Sequence, residues 1–280
     1  YLNLGIILKG LGILQEAELS TRKAIELNPH CAEAYHNLAL IELLKGNYQS
    51  GLENYEFRFK TKIKAITHAC TNLKRFDNQK IQKDEKILVL SEQGLGDTLQ
   101  YMRYIPYLKN QGLNIAFSAQ TKLHSLIKAS GIDSQPLTPE EVSKVSEGKF
   151  IPLLSLPRYL KVSPEHPIVS KPYIYSTDEL NKKWKNILSK EKKPIIGINW
   201  QGNPHVEKNN LKGRSLPLET FSGLTRNNNF KFVSLQKGFG SEQLENCSFK
   251  NKFVKSQSEI DSIWDFLENA AIIENCDLII

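Results

Sequence analysis

The residues best placed to do chemistry are Gln93, Gly94, Gly96 and Asp97. They stand in the stretch "SEQGLGDTLQYMRYIPYL", after an apolar run and before a helical pattern. Glycine loops at strand-to-helix junctions often hold phosphates on backbone N–H groups. A dinucleotide fingerprint would need a third glycine where Leu99 stands. It would also need an acidic residue about 20 positions on, and "AFSAQTK" has none. A triphosphate loop would need a lysine after the second glycine. Asp97 stands there instead and would repel the anion. Two readings of Asp97 remain. It can cap the helix N-terminus, where the macrodipole stabilises a carboxylate. Alternatively it can act as a base, taking a proton from an acceptor hydroxyl that approaches over the small Gly94 and Gly96.

The elements that must position this loop alternate from Lys86 onward. "KILVLS" predicts a buried strand, "DTLQYMRYIPYLKNQG" a helix, "LNIAFSA" a strand and "TKLHSLIKASG" a helix. "FIPLLSLPRYL" predicts a strand and a short helix, and "TDELNKKWKNILSKEKK" a helix opened by Thr177 or Asp178. A second series begins at "KPIIGINWQGNP". It continues with helical "PLETFSGLTRNN", strand "FKFVSLQKG", helix "IDSIWDFLENAAIIENC" and strand "DLII". Such alternation predicts parallel sheets with crossover helices. We therefore expect two Rossmann-like domains in series, residues 86–191 and 192–280, hinged near 190–193. Ligands of open parallel sheets sit beyond the carboxyl ends of strands. Three loops qualify: 92–97, 200–214 and 236–240.

Ahead of this region an internal repeat is visible. Tyr1 recurs as Tyr35, Leu4 as Leu38, Gly5 as Ala39, Gly12 as Gly46 and Ala17 as Gly51, each offset by 34. That period and those residue types resemble tetratricopeptide repeats, whose paired helices pack across small residues. Residues 1–62 are expected to form two such units, the first lacking its start. They would present a peptide-binding groove for a protein partner, or serve as a spacer or dimerisation arm. Residues 63–85 read as a basic linker that packs partly on its neighbours.

Composition narrows the classes. The formal charge of +7 suits an anionic partner. No aromatic-and-basic motif points to nucleic acid, and none is expected as a partner. No apolar run approaches the ~18 residues of a membrane span, and the first residues lack the basic region of a signal peptide. Cys31, Cys70, Cys247 and Cys276 are scattered, without the close pairs of a zinc site. They suggest a reducing compartment, and the expected place is the cytoplasm, with peripheral attachment to an inner membrane as an option.

Taken together, "SEQGLGDTLQYMRYIPYLKNQG", "FIPLLSLPRYL", "KPYIY", "IGINWQGNPHVEKNNLKGRSLPLETFSGL", "FVSLQKG" and "ENCDLII" resemble a bacterial family. Its members fuse tetratricopeptide repeats to a glycosyltransferase-B module, related to the heptosyltransferases of glycosyltransferase family 9. More distantly the arrangement is similar to O-linked N-acetylglucosamine transferase. The resemblance covers nearly the whole chain. It implies a metal-independent transferase without cofactor, with a nucleotide-sugar donor and a glycan or protein acceptor. The acceptor would bind the N-terminal domain and the donor the C-terminal one. Asp97 stands at the family's general-base position, with Gln93, Gly94 and Gly96 on the acceptor side. Arg214 in "GRSLPL" matches the residue that contacts donor phosphates. Asn203, His205, Lys208, Gln236 and Lys237 fall on the donor side. Without a metal, a leaving diphosphate needs such cations or helix N-termini.

The chain has no initiator Met and stops inside "CDLII". We therefore expect a piece of a longer protein, with repeats before Tyr1 and a second domain that is incomplete here. In the family, that strand leads into S-x-D-T-x-x-x-H-L-A, which completes the donor site, so residues 1–280 alone are expected to be inactive. The competing reading is a non-catalytic interaction protein, in which the repeats bind a partner and the α/β part is a degenerate scaffold.

Overall fold

Four helices open the chain: α1 (Leu2–Gly10), α2 (Leu14–Leu27), α3 (Ala32–Leu44) and α4 (Tyr48–Tyr55). Gly12 and Gly46 turn the chain within the α1–α2 and α3–α4 pairs at φ of 76° and 83°, a region where a side chain is strained. The 34-residue offset thus puts like residues at like turns. The small positions behave the same way. Gly5, Ala17, Ala39 and Gly51 are all buried. A Cβ on Gly5 would lie 2.3 Å from Thr21 Oγ1, and one on Gly51 would lie 2.9 Å from Leu43 Cγ.

The computed structural model describes residues 1–77, 85–169, 171–207, 214–226 and 229–280. They form a mixed α/β chain of two compact units, Tyr1–Tyr173 and Ile174–Ile280. In the first unit, β1 (Lys74–Arg75), β2 (Lys86–Leu90), β3 (Asn114–Ser118) and β4 (Lys149–Pro152) make one parallel sheet in the order β1-β4-β2-β3. β2 has neighbours on both sides, and its residues Ile87, Leu88, Val89 and Leu90 are fully buried. That matches the uninterrupted apolar run of a strand covered on both faces.

Helices α5 (Leu95–Tyr101), α6 (Tyr104–Asn110), α7 (His124–Ala129) and α8 (Pro139–Val142) lie in the crossovers, and α9 (Leu156–Tyr159) follows β4. The single helix expected after Asp97 is two. Pro106 has no N–H to donate to Met102, four residues back, and its ring crowds that carbonyl, so the helix breaks at residues 102–103. The expected linker is also more integrated than its composition suggested. The His68 N–H donates to the Ser91 carbonyl (2.9 Å) and that of Phe76 to the Phe150 carbonyl (2.8 Å). Ala69 and Phe76 are buried. Residues 78–84 of that stretch lie outside the described residues.

The second unit is built from α10 (Asp178–Leu188), β5 (Ile195–Ile198), α11 (Pro204–Glu207), β6 (Lys231–Ser234), α12 (Gln243–Asn246), α13 (Gln257–Asp261), α14 (Phe266–Glu274) and β7 (Leu278–Ile279). Its parallel sheet has the order β6-β5-β7. Thr177 caps α10, its Oγ1 accepting from the Leu180 N–H at 3.3 Å. Leu180, Trp184, Ile187 and Leu188 form one stripe of that helix, and they pack with Ile195 and Val233 of the sheet. The division between units therefore falls before α10, not at the expected 191/192. The single helix expected over residues 260–276 is also two, because Asp265 starts a new one by accepting from the Leu267 N–H. Among the described residues, no helix is long and apolar enough to cross a membrane.

Candidate functional site

β2 ends at Leu90, and the next residues turn the chain into α5. Glu92 is fully buried. Gln93, not a glycine, takes the left-handed conformation, at φ 61°. Gly94 and Gly96 have ordinary backbone angles. A Cβ on Gly94 would crowd Asp97 Oδ2 at 3.1 Å, whereas Gly96 faces open space. Asp97 is the third residue of α5, and its Oδ2 accepts the Gly94 N–H at 2.9 Å. It is therefore not the N-cap residue. It reaches back to the cap position with one oxygen, while the side chain stays partly exposed.

Beneath the loop lies a buried ion pair that the sequence reading missed. Arg58 comes from the 3₁₀ turn Glu56–Phe59 that ends the helical segment. Its Nε donates to Glu92 Oε2 at 3.0 Å and its Nη2 to Glu92 Oε1 at 2.7 Å. Nη2 also donates to Ser155 Oγ (2.8 Å), and Nη1 to Glu56 Oε1 (2.8 Å) and the Tyr55 carbonyl (3.2 Å). All five guanidinium N–H groups thus have an acceptor. Glu92 Oε1 further accepts the Leu154 N–H at 3.2 Å. Arg75 pairs with the other oxygen of Glu56. The guanidinium lies against the Tyr55 and Phe59 rings, 4.5 and 4.2 Å from their centroids. Burial alone would lower the Arg58 pKa, but hydrogen bonding and attraction from Glu92, then Glu56, raise it.

Aromatic hydroxyls border the same loop. Gln93 Nε2 donates to the Tyr55 hydroxyl at 2.9 Å. Burial first, then Tyr55, Tyr104 and Asp97, push the Tyr101 hydroxyl up to about 12, against the pull of Arg58. Tyr55 is also raised, chiefly by burial, with Asp97 a smaller contributor. Both hydroxyls keep their protons at neutral pH.

In the second unit the predicted donor-side residues follow the carboxyl ends of adjacent strands β5 and β6. Asn203 Oδ1 accepts the His205 N–H at 3.0 Å, opening α11. The exposed His205 ring sits edge-on to Phe239, with centroids 5.6 Å apart. Arg214 is exposed and runs past Gly202, where an added Cβ would lie 3.4 Å from its Nε. Lys208 lies outside the described residues.

Gln236 is only 4% exposed. Its Oε1 accepts from the Trp200 and Gln201 N–H groups, and its Nε2 donates to the Gln201 and Phe239 carbonyls. Every polar atom of its amide is used to tie the two loops together, which leaves none for a ligand. Lys237 is half-buried and donates to the Ile260 carbonyl. Burial lowers its pKa, with Asp261 opposing. Lys237 borders a cleft of about 310 Å³ shared with Gly238, Ser241, Glu242, Asp261 and Trp264. Trp200 packs in the core with Phe232 and Phe249.

No protein-family model, curated protein or solved structure matches this chain. Arg58 and Glu92 nonetheless left a trace in the sequence. Glu92 stands two residues after the end of a strand buried on both faces, and a carboxylate buried there requires a cation. "YEFRF" places one arginine among aromatic residues, a setting that suits a buried guanidinium.

Proposed function

We propose that this chain belongs to a glycosyltransferase that moves a sugar from a nucleotide-sugar donor to a hydroxyl acceptor, with Asp97 as general base. On this reading, the two helix pairs are tetratricopeptide units. The two parallel-sheet units are the Rossmann-like halves of a glycosyltransferase-B module of the family 9 type. The observation that carries the proposal is the placement of Asp97. It follows the carboxyl end of the inner strand β2, with one oxygen held by the Gly94 N–H and the side chain partly open to solvent. A single base beside an acceptor suits direct displacement. The base takes the hydroxyl proton, the acceptor oxygen bonds to the anomeric carbon, and the bond to the diphosphate breaks. Arg214 is the candidate cation for the departing charge.

The test uses the whole protein with a panel of nucleotide sugars. Asp97→Asn should lower transfer about a hundredfold or more while donor binding, measured by calorimetry, stays within about twofold. Equal turnover by the variant would remove Asp97 from the mechanism.

The non-catalytic reading keeps one observation in its favour: Gln236, expected to hold the donor, has both polar atoms of its amide engaged with backbone groups. Absence of both donor binding and turnover across the panel would favour it.

A further inference from the structure

We infer that Arg58 is a positioning residue for the Asp97 loop, so that the helical segment is a working part of the acceptor side and not a detachable arm. The role in turnover rests on the transferase reading; the mechanical link does not.

Three consecutive residues carry the chain from β2 toward α5, and each is fixed by a different contact. Glu92 is gripped by two N–H groups, Nε and Nη2, along one edge of the Arg58 guanidinium. Gln93 sits in a left-handed conformation that disfavours any residue with a Cβ, and its side chain is tied to the Tyr55 hydroxyl. The Gly94 N–H is then aimed at Asp97. Two of the three fixings come from the helical segment, and Arg58 packs against the same Tyr55 that holds Gln93. A strained residue persists only where its surroundings over-determine it. Here those surroundings are Tyr55 and Arg58. A bidentate guanidinium fixes the angle of its carboxylate as well as its distance. An ammonium at the same site would keep the charge and lose the angle.

The experiment compares wild type, Arg58→Lys and the double variant Arg58→Met/Glu92→Leu in the whole protein. The double variant removes both charges, so that it folds without leaving one buried alone. The first readout is backbone amide hydrogen exchange. In both variants, amides of residues 93–98 should exchange at least about tenfold faster, while those of β2 and β3 stay as in wild type. The second readout is the kinetic split. The kcat for transfer should fall at least about tenfold with the donor KM within about twofold, because a displaced base harms the step and not donor binding. Unchanged exchange at residues 93–98 would overturn the inference whatever the activity. A kcat equal to wild type despite faster exchange would also overturn the positioning role. If wild type transfers no sugar at all, the transferase reading fails, and the exchange result still decides whether Arg58 holds the loop.

Discussion

Arg58 and Glu92 meet through two N–H···O bonds of 2.7 and 3.0 Å, and their side chains are 2% and 0% exposed. Removing one partner strands the other as a buried charge. Arg58→Met should therefore cost about 3–5 kcal/mol, whereas Arg58→Met/Glu92→Leu should recover most of that loss. Urea denaturation of the three proteins checks this. Equal losses in the single and double variants would mean that the pair itself, not the stranded charge, sets the energy.

The helix pairs offer a contrast between two glycines of α1. A methyl on Gly5 would lie 2.3 Å from Thr21 Oγ1, a hydroxyl engaged with the Ala17 carbonyl and with Asn37. Gly5→Ala should destabilise by about 1–3 kcal/mol through overpacking. Gly10 has nothing within 4 Å of its would-be Cβ. Gly10→Ala should stabilise by about 0.5–1 kcal/mol through helix propensity. Thermal melts of both variants would show opposite signs.

Gln93 gives a graded test of backbone strain. At φ 61°, Gln93→Val should cost more than about 1 kcal/mol, since a β-branched residue tolerates this region worst. Gln93→Gly removes the strain and also the hydrogen bond to Tyr55, so its stability should lie within about 1 kcal/mol of wild type. A valine variant as stable as the glycine variant would place the chain in another conformation here.

His36 supplies a pH signature. Burial, then Lys9 and Arg58, lower its pKa from 6.5, and its ring lies against Tyr55 with centroids 5.7 Å apart. The folded state resists a proton that the unfolded chain accepts. Stability should therefore fall as pH drops through 6.5 and level off below the folded value. His36→Gln should flatten that part of the profile. Urea midpoints at about pH 7.5 and about pH 5 for both proteins give the comparison, and identical slopes would exclude His36 as the cause.

Local regularities carried much of the architecture. Apolar runs bounded by glycine marked β2, β3, β5 and β6. The 34-residue offset marked the turns at Gly12 and Gly46, because tight turns need a residue free to reach positive φ. Asp97 was legible as the acid after a glycine loop. Its precise role at the helix start was not, because reaching back to Gly94 depends on the turn that Gln93 makes.

What the chain alone could not reveal is which distant residues meet. Arg58 and Glu92 are 34 positions apart and belong to elements of different kinds, and no local pattern links them. Gln236 reads as a donor-side residue, yet it is buried, and Trp200 and Gln201 of the neighbouring loop with Phe239 of its own take its hydrogen bonds. Helix α10 could have served either unit, and the burial of its Leu180–Trp184–Leu188 stripe against Ile195 and Val233 assigned it to the second. Periodicity and turn chemistry act over a few residues and survive in the sequence. Burial and charge pairing act between segments, and only the folded chain decides them.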